Sequence, residues 1–595
     1  MKHVKYKFLI ASGLVVTILV ITACKKFLDK PPLGTLNPQV MATEKGVQGL
    51  LIGAYSLVDG EGAAGDGFAS GASNWILGGV TSDDAYKGSD PTDVGEAAPM
   101  EQWVSLTPTN SAILQKWVMC YAGAQRCNDV LNTLKIATGI STTKAAQMTA
   151  QAKFLRAFYH FELKKVFNKI IYADETVNKD NTNVTNTADA WPKIEADLAA
   201  AITDLPDTWP GEPGRANKWA AKALQAKVFM YQKKYTAAYP VLQDLIANGK
   251  TAGGAKYALL PHFYSNFNPA QKNSSESVFA AQTSVKDNSS VDWGGDPNGN
   301  YGDILNFPYT GGPGACCGFY NPSQDLANAF KTDAVTGLPL TDTYFQGLNV
   351  SDEAGVGYVG TLDPRIDWTM GRPGIPYLDW GLHPGIAWIR NPSNDGNKSP
   401  IKNVYASSQK DAYTDVGSGY WGPTELVANN VNIIRFSDVI LWAAECAVEA
   451  NDLTQARAYV NQIRTRAADP TGWVYKNSNY DAPTATYSTQ TTPAANYKIG
   501  LYNVAFADKA TATKAVQMER RLELAMEGQR FFDLVRWGIA ATTINTYIAR
   551  EKVNRPLKAT ANFIAGKNEY MPIPQSEIDN MNSDGTVRLT QNSGY

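Results

Sequence analysis

The residue types that most often carry catalysis are scarce in this chain. It has four histidines and six cysteines among 595 residues, and neither a His-Glu-x-x-His nor a Cys-x-x-Cys motif occurs. Asp83-Asp84 is an acidic pair of the kind used by glycosidases, in which two carboxylates flank the scissile bond. Because neighbouring acids are common in loops, the sequence favours hydrogen-bonding roles for Asp83 and Asp84 over a catalytic dyad.

One compact segment offers oxygen ligands of the type that calcium prefers. The five candidate ligands are Asp292, Asp296, Asn298, Asn300 and Asp303. Counted from Asp296, the sixth position is Tyr301 and the twelfth is Phe307, where an EF-hand needs Gly and Glu. The segment therefore departs from an EF-hand, and a solvated turn is the competing interpretation.

Aromatic side chains are numerous enough to suggest a second kind of chemistry. The chain has 14 Trp and 29 Tyr, and rings of this type stack on sugar rings in extracellular binding proteins. A large core or many long loops would explain them equally well.

The first 24 residues have the pattern of a bacterial lipoprotein signal. Three lysines within residues 1–7 precede an uncharged stretch, 8–23, and Ile21-Thr22-Ala23-Cys24 fits the lipobox, in which the cysteine is diacylated. The uncharged stretch is shorter than the roughly 20 residues that span a bilayer. We therefore expect a signal peptide at residues 1–23 and a mature chain anchored to a membrane through Cys24.

The charge balance excludes one class of partner. The whole chain has a net charge of −2, which becomes −5 without the three signal lysines. Nucleic-acid binding requires a basic field, so we expect no nucleic-acid partner.

The remaining cysteines do not indicate a scaffold built on disulfides. Five lie outside the anchor, an odd number. Cys120 and Cys127 would lie about 10 Å apart on one helix, too far to bridge. The adjacent Cys316 and Cys317 could form only a vicinal disulfide, and the sequence favours two free thiols there.

Helical periodicity predicts pairs of helices separated by short breaks. The predicted segments are 114–134 with 145–167, 219–230 with a partner that ends at Gly249, 438–450 with a partner capped by Asp452, and a final helix from Ala512 to Trp537. Two of these pairs share a spacing of small and large residues: Ala226, Phe229, Ala238 and Leu242 in one, and Ala444, Ala447, Ala456 and Val460 in the other. This spacing loosely matches a tetratricopeptide repeat.

The predicted fold is therefore mainly α, with tetratricopeptide-like helix pairs stacked into a scaffold at about 40–255 and 431–595. Generic helical packing is the alternative. Between about 256 and 430 the chain is rich in Gly, Pro, Asn and aromatic residues, which predicts a loop-rich irregular insert. Binding residues commonly lie on loops that a rigid scaffold holds in place, so we expect the ligand to bind at this insert.

Charges of both signs crowd the predicted final helix. Glu519, Glu523, Glu527, Arg520 and Arg530 share one arc of about 100°. Opposite charges packed this closely neutralise one another, so we expect a structural network of ion pairs and no catalytic role.

Ordered segments from Cys24 to the last residue resemble the SusD/RagB family of outer-membrane nutrient-uptake lipoproteins. The matching segments are Cys24–Pro32, Phe154–Tyr159, Gly214–Ala226, Arg435–Val439, Glu519–Leu524, Glu527–Arg530, Phe532–Gly538, Met571–Pro574 and Gln591–Tyr595. The resemblance implies one SusD-like domain over residues 24–595.

The resemblance also implies a function. Family members are lipid-anchored proteins of the outer membrane that face the cell surface, bind oligosaccharides or polysaccharides without cleaving them, and deliver them to a SusC-like TonB-dependent transporter. It implies no enzymatic activity and no cofactor. A surface glycosidase and a scaffold that binds only peptide or protein are the alternatives.

A glycan site in this family is a shallow surface of aromatic and polar groups. The candidates by position are Trp75, Asp83, Asp84, Tyr86 and Trp103 in the N-terminal loops, and Trp293, Tyr320, Trp380 and Trp421 in the insert.

Overall fold

The structure is a computed structural model that describes residues 38–595, except for 63–66, 178–181, 290–297, 315, 352–356, 416–425, 477–478 and 489. The signal segment at residues 1–23 lies outside the described residues, as do five of the candidate site residues: Cys24, Asp292, Trp293, Asp296 and Trp421. Of the helices in the described part, none has both the length and the apolar character needed to cross a membrane.

The structure is mainly helical, as the periodicity predicts. The helices of eight residues or more are α2 (Glu44–Tyr55), α4 (Ser111–Ile136), α5 (Thr142–Phe167), α6 (Trp191–Asp204), α7 (Lys218–Tyr231), α8 (Tyr235–Asn248), α13 (Phe436–Glu449), α14 (Leu453–Ala468), α15 (Lys509–Leu524), α16 (Arg530–Trp537) and α17 (Ala540–Glu551). The shorter helices are α1 (Pro38–Met41), α3 (Ala98–Gln102), α9 (Gln324–Ala329), α10 (Ile366–Thr369), α11 (Pro392–Asp395), α12 (Lys410–Tyr413) and α18 (Gln575–Met581).

Neighbouring helices pack against one another in chain order. Contacts join α4 to α5, α5 to α6, α6 to α7 and α7 to α8. Helix α8 then packs on α13, which pairs with α14, and α15 lies against both. The helices before and after the insert therefore form one stack, which is compatible with side-by-side tetratricopeptide-like pairs.

Capping side chains and small residues explain why these helices begin and pair where they do. The side chain of Asn217 accepts the backbone N–H of Ala220 at the start of α7, and Asp452 accepts that of Gln455 at the start of α14, as predicted. Ala226 of α7 and Ala238 of α8 are fully buried, so the two backbones of this hairpin approach closely.

The predicted single helix from Ala512 to Trp537 is wrong. A turn at residues 525–529 separates α15 from α16, and both Met526 (φ 62°) and Gly528 (φ 64°) are in the left-handed region. A Cβ at Gly528 would lie 1.8 Å from the carbonyl oxygen of Ser73. The N-terminal loop therefore passes through space that only glycine leaves open.

Residues 249–435 have short elements and much irregular backbone. The strands of the described residues are two to five residues long: β1 (Ser277–Ala281), β2 (Met370–Gly371), β3 (Ser399–Pro400), β4 (Thr414–Asp415), β5 (Leu426–Val427), β6 (Val431–Arg435), β7 (Tyr475–Lys476), β8 (Tyr480–Asp481), β9 (Thr486–Tyr487) and β10 (Thr492–Pro493). Antiparallel pairing of β1 with β6, from Ser277 opposite Arg435 to Ala281 opposite Val431, brings the two ends of this region together.

The cysteines follow the predictions with one exception. Cys120, Cys127 and Cys446 are free and buried. Cys316 and Cys317 form a vicinal disulfide, which corrects the prediction of two free thiols. Sequence adjacency alone does not tell whether two neighbouring sulfurs meet, because that depends on the local backbone.

Candidate functional site

Six of the nine candidate glycan-binding residues are buried, so the expectation that they form a surface is wrong for them. Trp75 is 0% exposed. Its indole N–H donates to the carbonyl of Gly302 at 3.0 Å, and its ring packs on Phe319 and Tyr320. The N-terminal loop folds beneath the insert, and Trp75 fills the space between them.

Trp103 and Tyr86 are also part of the core. The ring of Trp103 lies 5.2 Å from that of Phe531 and 4.8 Å from that of Phe563. The hydroxyl of Tyr86 donates to the Glu551 carboxylate at 2.6 Å. Both residues join the N-terminal loop to the C-terminal part of the chain, and neither is free to stack on a sugar.

Asp83 and Asp84 are held by arginines. Arg530 donates two hydrogen bonds to Asp83, at 2.7 and 3.0 Å, and the Nε of Arg521 lies 3.1 Å from Asp84. Burial raises the pKa of Asp83, but Arg521 and Arg530 outweigh it and hold that pKa well below the usual range. Burial raises the pKa of Asp84 against the pull of Arg521. Both carboxylates are therefore buried and engaged in ion pairs.

Three consecutive residues of α15 enter three separate ion-pair clusters. The predicted network of ion pairs is confirmed, but Glu519, Glu523, Glu527, Arg520 and Arg530 pair with residues of other elements and not with one another. Glu519 accepts from Arg365 at 2.7 Å and Arg464 at 2.9 Å. The next two residues contact different partners, and their pairs are Arg520 with Asp438, Glu445 and Asp533, and Arg521 with Asp83, Asp84 and Asp325.

The predicted calcium ligands do not come together among the described residues. Asn298 is exposed and donates to Asp287 at 2.9 Å, whereas Asn300 and Asp303 are buried and hydrogen-bond to each other at 2.8 Å. Within the described part of the chain, no group of three His, Cys, Asp or Glu side chains is placed to hold a metal ion.

Asn300 and Asp303 instead line a polar cavity of about 60 Å³. The amide N–H groups of two other lining residues are committed to acceptors: Asn306 donates to Asp303 at 3.1 Å, and Asn429 donates to the carbonyl of Phe267 at 2.7 Å. The orientation of both amides is thereby fixed, and neither Oδ1 has a protein partner among the described residues. Both oxygens are therefore buried acceptors of residues that line this cavity.

An accessible surface with aromatic and charged groups is formed by the insert beside the disulfide together with Asp93 of the N-terminal loops. We call it the disulfide-loop surface and define it by Asp93, Tyr309, Cys316, Trp380 and Arg390. Arg390 is exposed, and the other four are half-buried. Rings that keep an accessible face next to charged side chains are suited to sugars, since the ring stacks and the charges accept or donate hydrogen bonds.

The side chains of this surface hold one another in place. Arg390 pairs with Asp93 at 2.5 Å and donates to the hydroxyl of Ser89 at 2.9 Å. Its guanidinium lies 5.2 Å from the ring centroid of Tyr309. The backbone N–H of Tyr309 donates to the carbonyl of Trp388 at 2.9 Å, which fixes the loop that leads to the disulfide.

Trp380 is the one candidate ring of the described residues that the structure leaves half-buried. Its indole N–H donates to the carbonyl of Tyr405 at 2.9 Å, and the Tyr405 hydroxyl donates to the carbonyl of Pro313 at 2.7 Å. Trp380 is thereby connected to the disulfide loop.

Sequence reasoning missed Asp93, Tyr309 and Arg390. The only available signal was the glycine-rich stretch around the two cysteines, at residues 311–318. Asp93 and Arg390 are 297 positions apart, so no local pattern could have paired them.

Comparison with known proteins agrees with the architecture. A model of the SusD family matches residues 275–595, more than half of the chain. The chain belongs to the SusD family. A second family model, described as starch-binding and associating with the outer membrane, matches residues 27–230 of this SusD-family protein.

Curated relatives and solved structures match over nearly the whole length. A SusD-like protein of Formosa agariphila is 24% identical and covers 87% of each chain; a second from that bacterium is 23% identical over 95% of this chain and 96% of its own. A laminarin-binding SusD-like protein has a TM-score of 0.64 at 22% identity, covering 93% of this chain and 99% of its own. Surface glycan-binding protein A of Bacteroides thetaiotaomicron, solved in complex with laminarihexaose, has a TM-score of 0.60 at 21% sequence identity. The match covers 92% of this chain and 99% of that protein.

Proposed function

We propose that this protein captures oligosaccharides or polysaccharides at the disulfide-loop surface without cleaving them, and delivers them to a SusC-like TonB-dependent transporter. The observation that carries the proposal is the contact of Arg390 with Asp93 and Tyr309 on an accessible part of a SusD-family fold, with Trp380 joined to the disulfide loop through Tyr405. The match to a family model of starch-binding proteins supports a glycan ligand.

The chemistry of this surface fits a sugar. The rings of Tyr309 and Trp380 offer apolar faces for the C–H groups of a pyranose or furanose. Arg390 donates and Asp93 accepts, and because the two are already paired, they are held in position before a ligand arrives. Pre-organised polar groups lose less entropy on binding than free ones.

Binding without hydrolysis is supported by the state of the acidic pair. Glycosidases need one carboxylic acid that donates a proton and one carboxylate that attacks or activates water. Asp83 and Asp84 are buried and engaged by Arg521 and Arg530, so they are not available for these roles.

The proposal includes a lipid anchor at Cys24 that holds the protein on the outside of the outer membrane. The lipobox at residues 21–24 supports the anchor, and the description of the second family model supports the outer membrane. Metabolic labelling with a radioactive fatty acid tests it: Cys24→Ala should abolish the label, and protease treatment of intact cells should degrade the surface-exposed wild type.

Affinity electrophoresis tests the glycan ligand. The purified protein is run through gels containing laminarin, starch, levan, inulin, xylan or galactomannan, with laminarin first because two structural neighbours bind it or its hexaose by name. We expect retardation by at least one polysaccharide and no release of reducing sugar. Release of reducing sugar would favour a glycosidase, and no retardation by any of them would favour a scaffold for peptide or protein.

The position of the site is tested with matched variants. Trp380→Ala, Tyr309→Ala and Arg390→Ala should each reduce retardation. Trp209→Ala is the control, because Trp209 is also half-buried and also donates its indole N–H to a backbone carbonyl, that of Ala216 at 2.8 Å. Equal retardation of all four variants would place the site elsewhere, and Trp293→Ala and Trp421→Ala would then be the next candidates.

A further inference from the structure

A second accessible site lies on the helical side of the molecule. It is a cleft of about 310 Å³ between α15, α17 and the segment 341–345. We call it the Phe345 cleft. It shares no residue with the disulfide-loop surface.

The floor of the Phe345 cleft is rigid. It is formed by Asp83, Asp325, Arg521 and Arg530, which are joined by ion pairs of 2.7 to 3.0 Å. Asp83, Asp325 and Arg521 are at most 4% exposed. A floor of paired, buried charges does not rearrange easily, since separating any pair leaves an uncompensated charge.

Of the three aromatic residues that line the cleft, Tyr344, Phe345 and Tyr547, Phe345 is the exposed one. Phe345 is 38% exposed, and the guanidinium carbon of Arg550 lies 3.8 Å from its ring centroid. Arg550 is itself held by Asp325 at 2.7 Å and by the hydroxyl of Tyr344 at 3.1 Å. One face of the ring is therefore fixed on a cation, and the exposed part of the ring is available to a ligand.

The rest of the rim carries hydrogen-bonding groups. Gln517 and Thr543 line the cleft, and their side chains make no hydrogen bond to any described residue. Thr546 is exposed, and Lys514 and Asp342 form an exposed pair at 2.8 Å. Hydroxyl, amide, ammonium and carboxylate groups around the exposed ring of Phe345 match a ligand with many hydroxyls better than an apolar peptide segment.

We propose that the Phe345 cleft is a second saccharide-binding site, in which Phe345 stacks on one sugar ring and Gln517 and Thr543 bind its hydroxyls. This proposal rests on glycan binding as the function of the protein. A second site would let one protein hold a long polysaccharide at two points, which raises avidity without a tighter individual contact.

Calorimetry in a background without the first site tests the proposal. The purified Trp380→Ala/Arg390→Ala protein is titrated with a hexasaccharide of whichever panel polysaccharide retards the wild type. We expect residual binding that Phe345→Ala weakens about tenfold, the factor that corresponds to roughly 1.4 kcal/mol. Gln517→Ala should weaken this residual binding as well. Phe345→Trp, which keeps an aromatic ring where Phe345→Ala removes it, should retain the binding.

Leu348→Ala is the matched control, because Leu348 is 51% exposed and follows Phe345 by three positions but does not line the cleft. Equal melting temperatures of the variants exclude misfolding. Residual binding that neither Phe345→Ala nor Gln517→Ala changes overturns the proposal, as does the loss of all binding in the background. If the wild type binds no polysaccharide, glycan binding itself is refuted and the second site with it.

Discussion

The helical stack and the insert obtain their order in different ways. In α13, residues four positions apart such as Ala443 and Ala447 are buried. The local sequence pattern therefore already indicates which residues of this helix pack inside. In the insert, the Tyr264 hydroxyl donates to the carbonyls of Ile401 and Val404, which are more than 130 positions away. The stack is specified by short-range patterns, whereas the insert is specified by contacts between distant segments.

Buried charges join these two regions. Glu523 of α15 contacts Arg365 of the insert at 3.0 Å and Arg435 at the end of β6 at 2.5 Å, and also Arg466 of α14. Burial raises the pKa of Glu523, but the three arginines outweigh it and hold the pKa far below the usual range. The carboxylate therefore stays ionised, and the predictions below test how far each region depends on the other.

The largest effect is expected from Glu523→Gln, which removes the negative charge that three buried guanidiniums share. Leaving buried charges unpaired costs about 3–5 kcal/mol, and we expect a loss of this size in urea-induced unfolding. Glu449→Gln is the control, because the pair of Glu449 with Lys509 is exposed and is worth at most about 1 kcal/mol. Similar losses for the two variants would refute the joining role of Glu523.

Gly528→Ala should have the next largest effect. Alanine at φ 64° is strained, and its Cβ would meet the carbonyl of Ser73 at 1.8 Å, so we expect a loss of more than about 2 kcal/mol. Gly139→Ala has a similar φ of 76° with nothing within 4 Å and should cost only about 1 kcal/mol. Thermal melting of both variants separates the steric contact with Ser73 from the backbone strain of a positive φ, which the two variants share. Equal shifts in melting temperature would mean that the contact with Ser73 contributes nothing.

Mild acid should weaken both regions, because each holds a buried neutral histidine. Burial lowers the pKa of His160 in α5 to about 4 and that of His383 in the insert to about 3. Both folded-state pKa values lie below the unfolded value of about 6.5. The free energy of unfolding is therefore at its full value above about pH 6.5 and decreases as the pH falls below it. Between pH 7.5 and 5 the loss is about 2 kcal/mol for each histidine.

Unfolding in urea at several pH values measures this loss. His160 accepts the N–H of Ala173 on Nε2 and donates from Nδ1 to the carbonyl of Arg156, and glutamine can provide one acceptor and one donor. His160→Gln should therefore have a shallower pH dependence than the wild type. An unchanged slope would show that His160 is not held neutral.

The smallest effect on stability is expected from Cys316→Ser/Cys317→Ser. A disulfide stabilises mainly by closing a loop in the unfolded chain, and adjacent cysteines enclose no intervening residues. We expect a change of less than about 1 kcal/mol in unfolding, together with weaker retardation in the polysaccharide gel that retards the wild type. Mass spectrometry after alkylation without reductant should find both cysteines of the wild type unmodified. A large loss of stability would mean that this loop supports the whole insert.

The difference between the regions also explains what could be predicted. The helix pairs were found because apolar residues recur along α7, α8, α13 and α14. The turn at Gly528 was missed because the helical pattern continues through it, and the contact that requires glycine comes from Ser73, far along the chain.

The candidate site was harder to predict, because aromatic residues in loops do not show which way they face. By its position in the sequence Trp75 is a candidate for the binding surface, yet its indole N–H donates to the carbonyl of Gly302, 227 positions away. Trp380 keeps an accessible face, although nothing in its neighbouring residues distinguishes it from Trp75. Only the packing of distant segments decides between a core ring and a binding ring.

The three consecutive charges of α15 impose a strict rotational register on that helix. Each residue turns the helix by 100°, and Glu519, Arg520 and Arg521 use that rotation to point into three different clusters. Inserting one residue between Lys509 and Glu519 would turn Glu519 toward the acidic partners of Arg520, and deleting one would turn Arg520 toward the arginine partners of Glu519. Homologous chains should therefore vary in length within their loops and keep this helix constant in length.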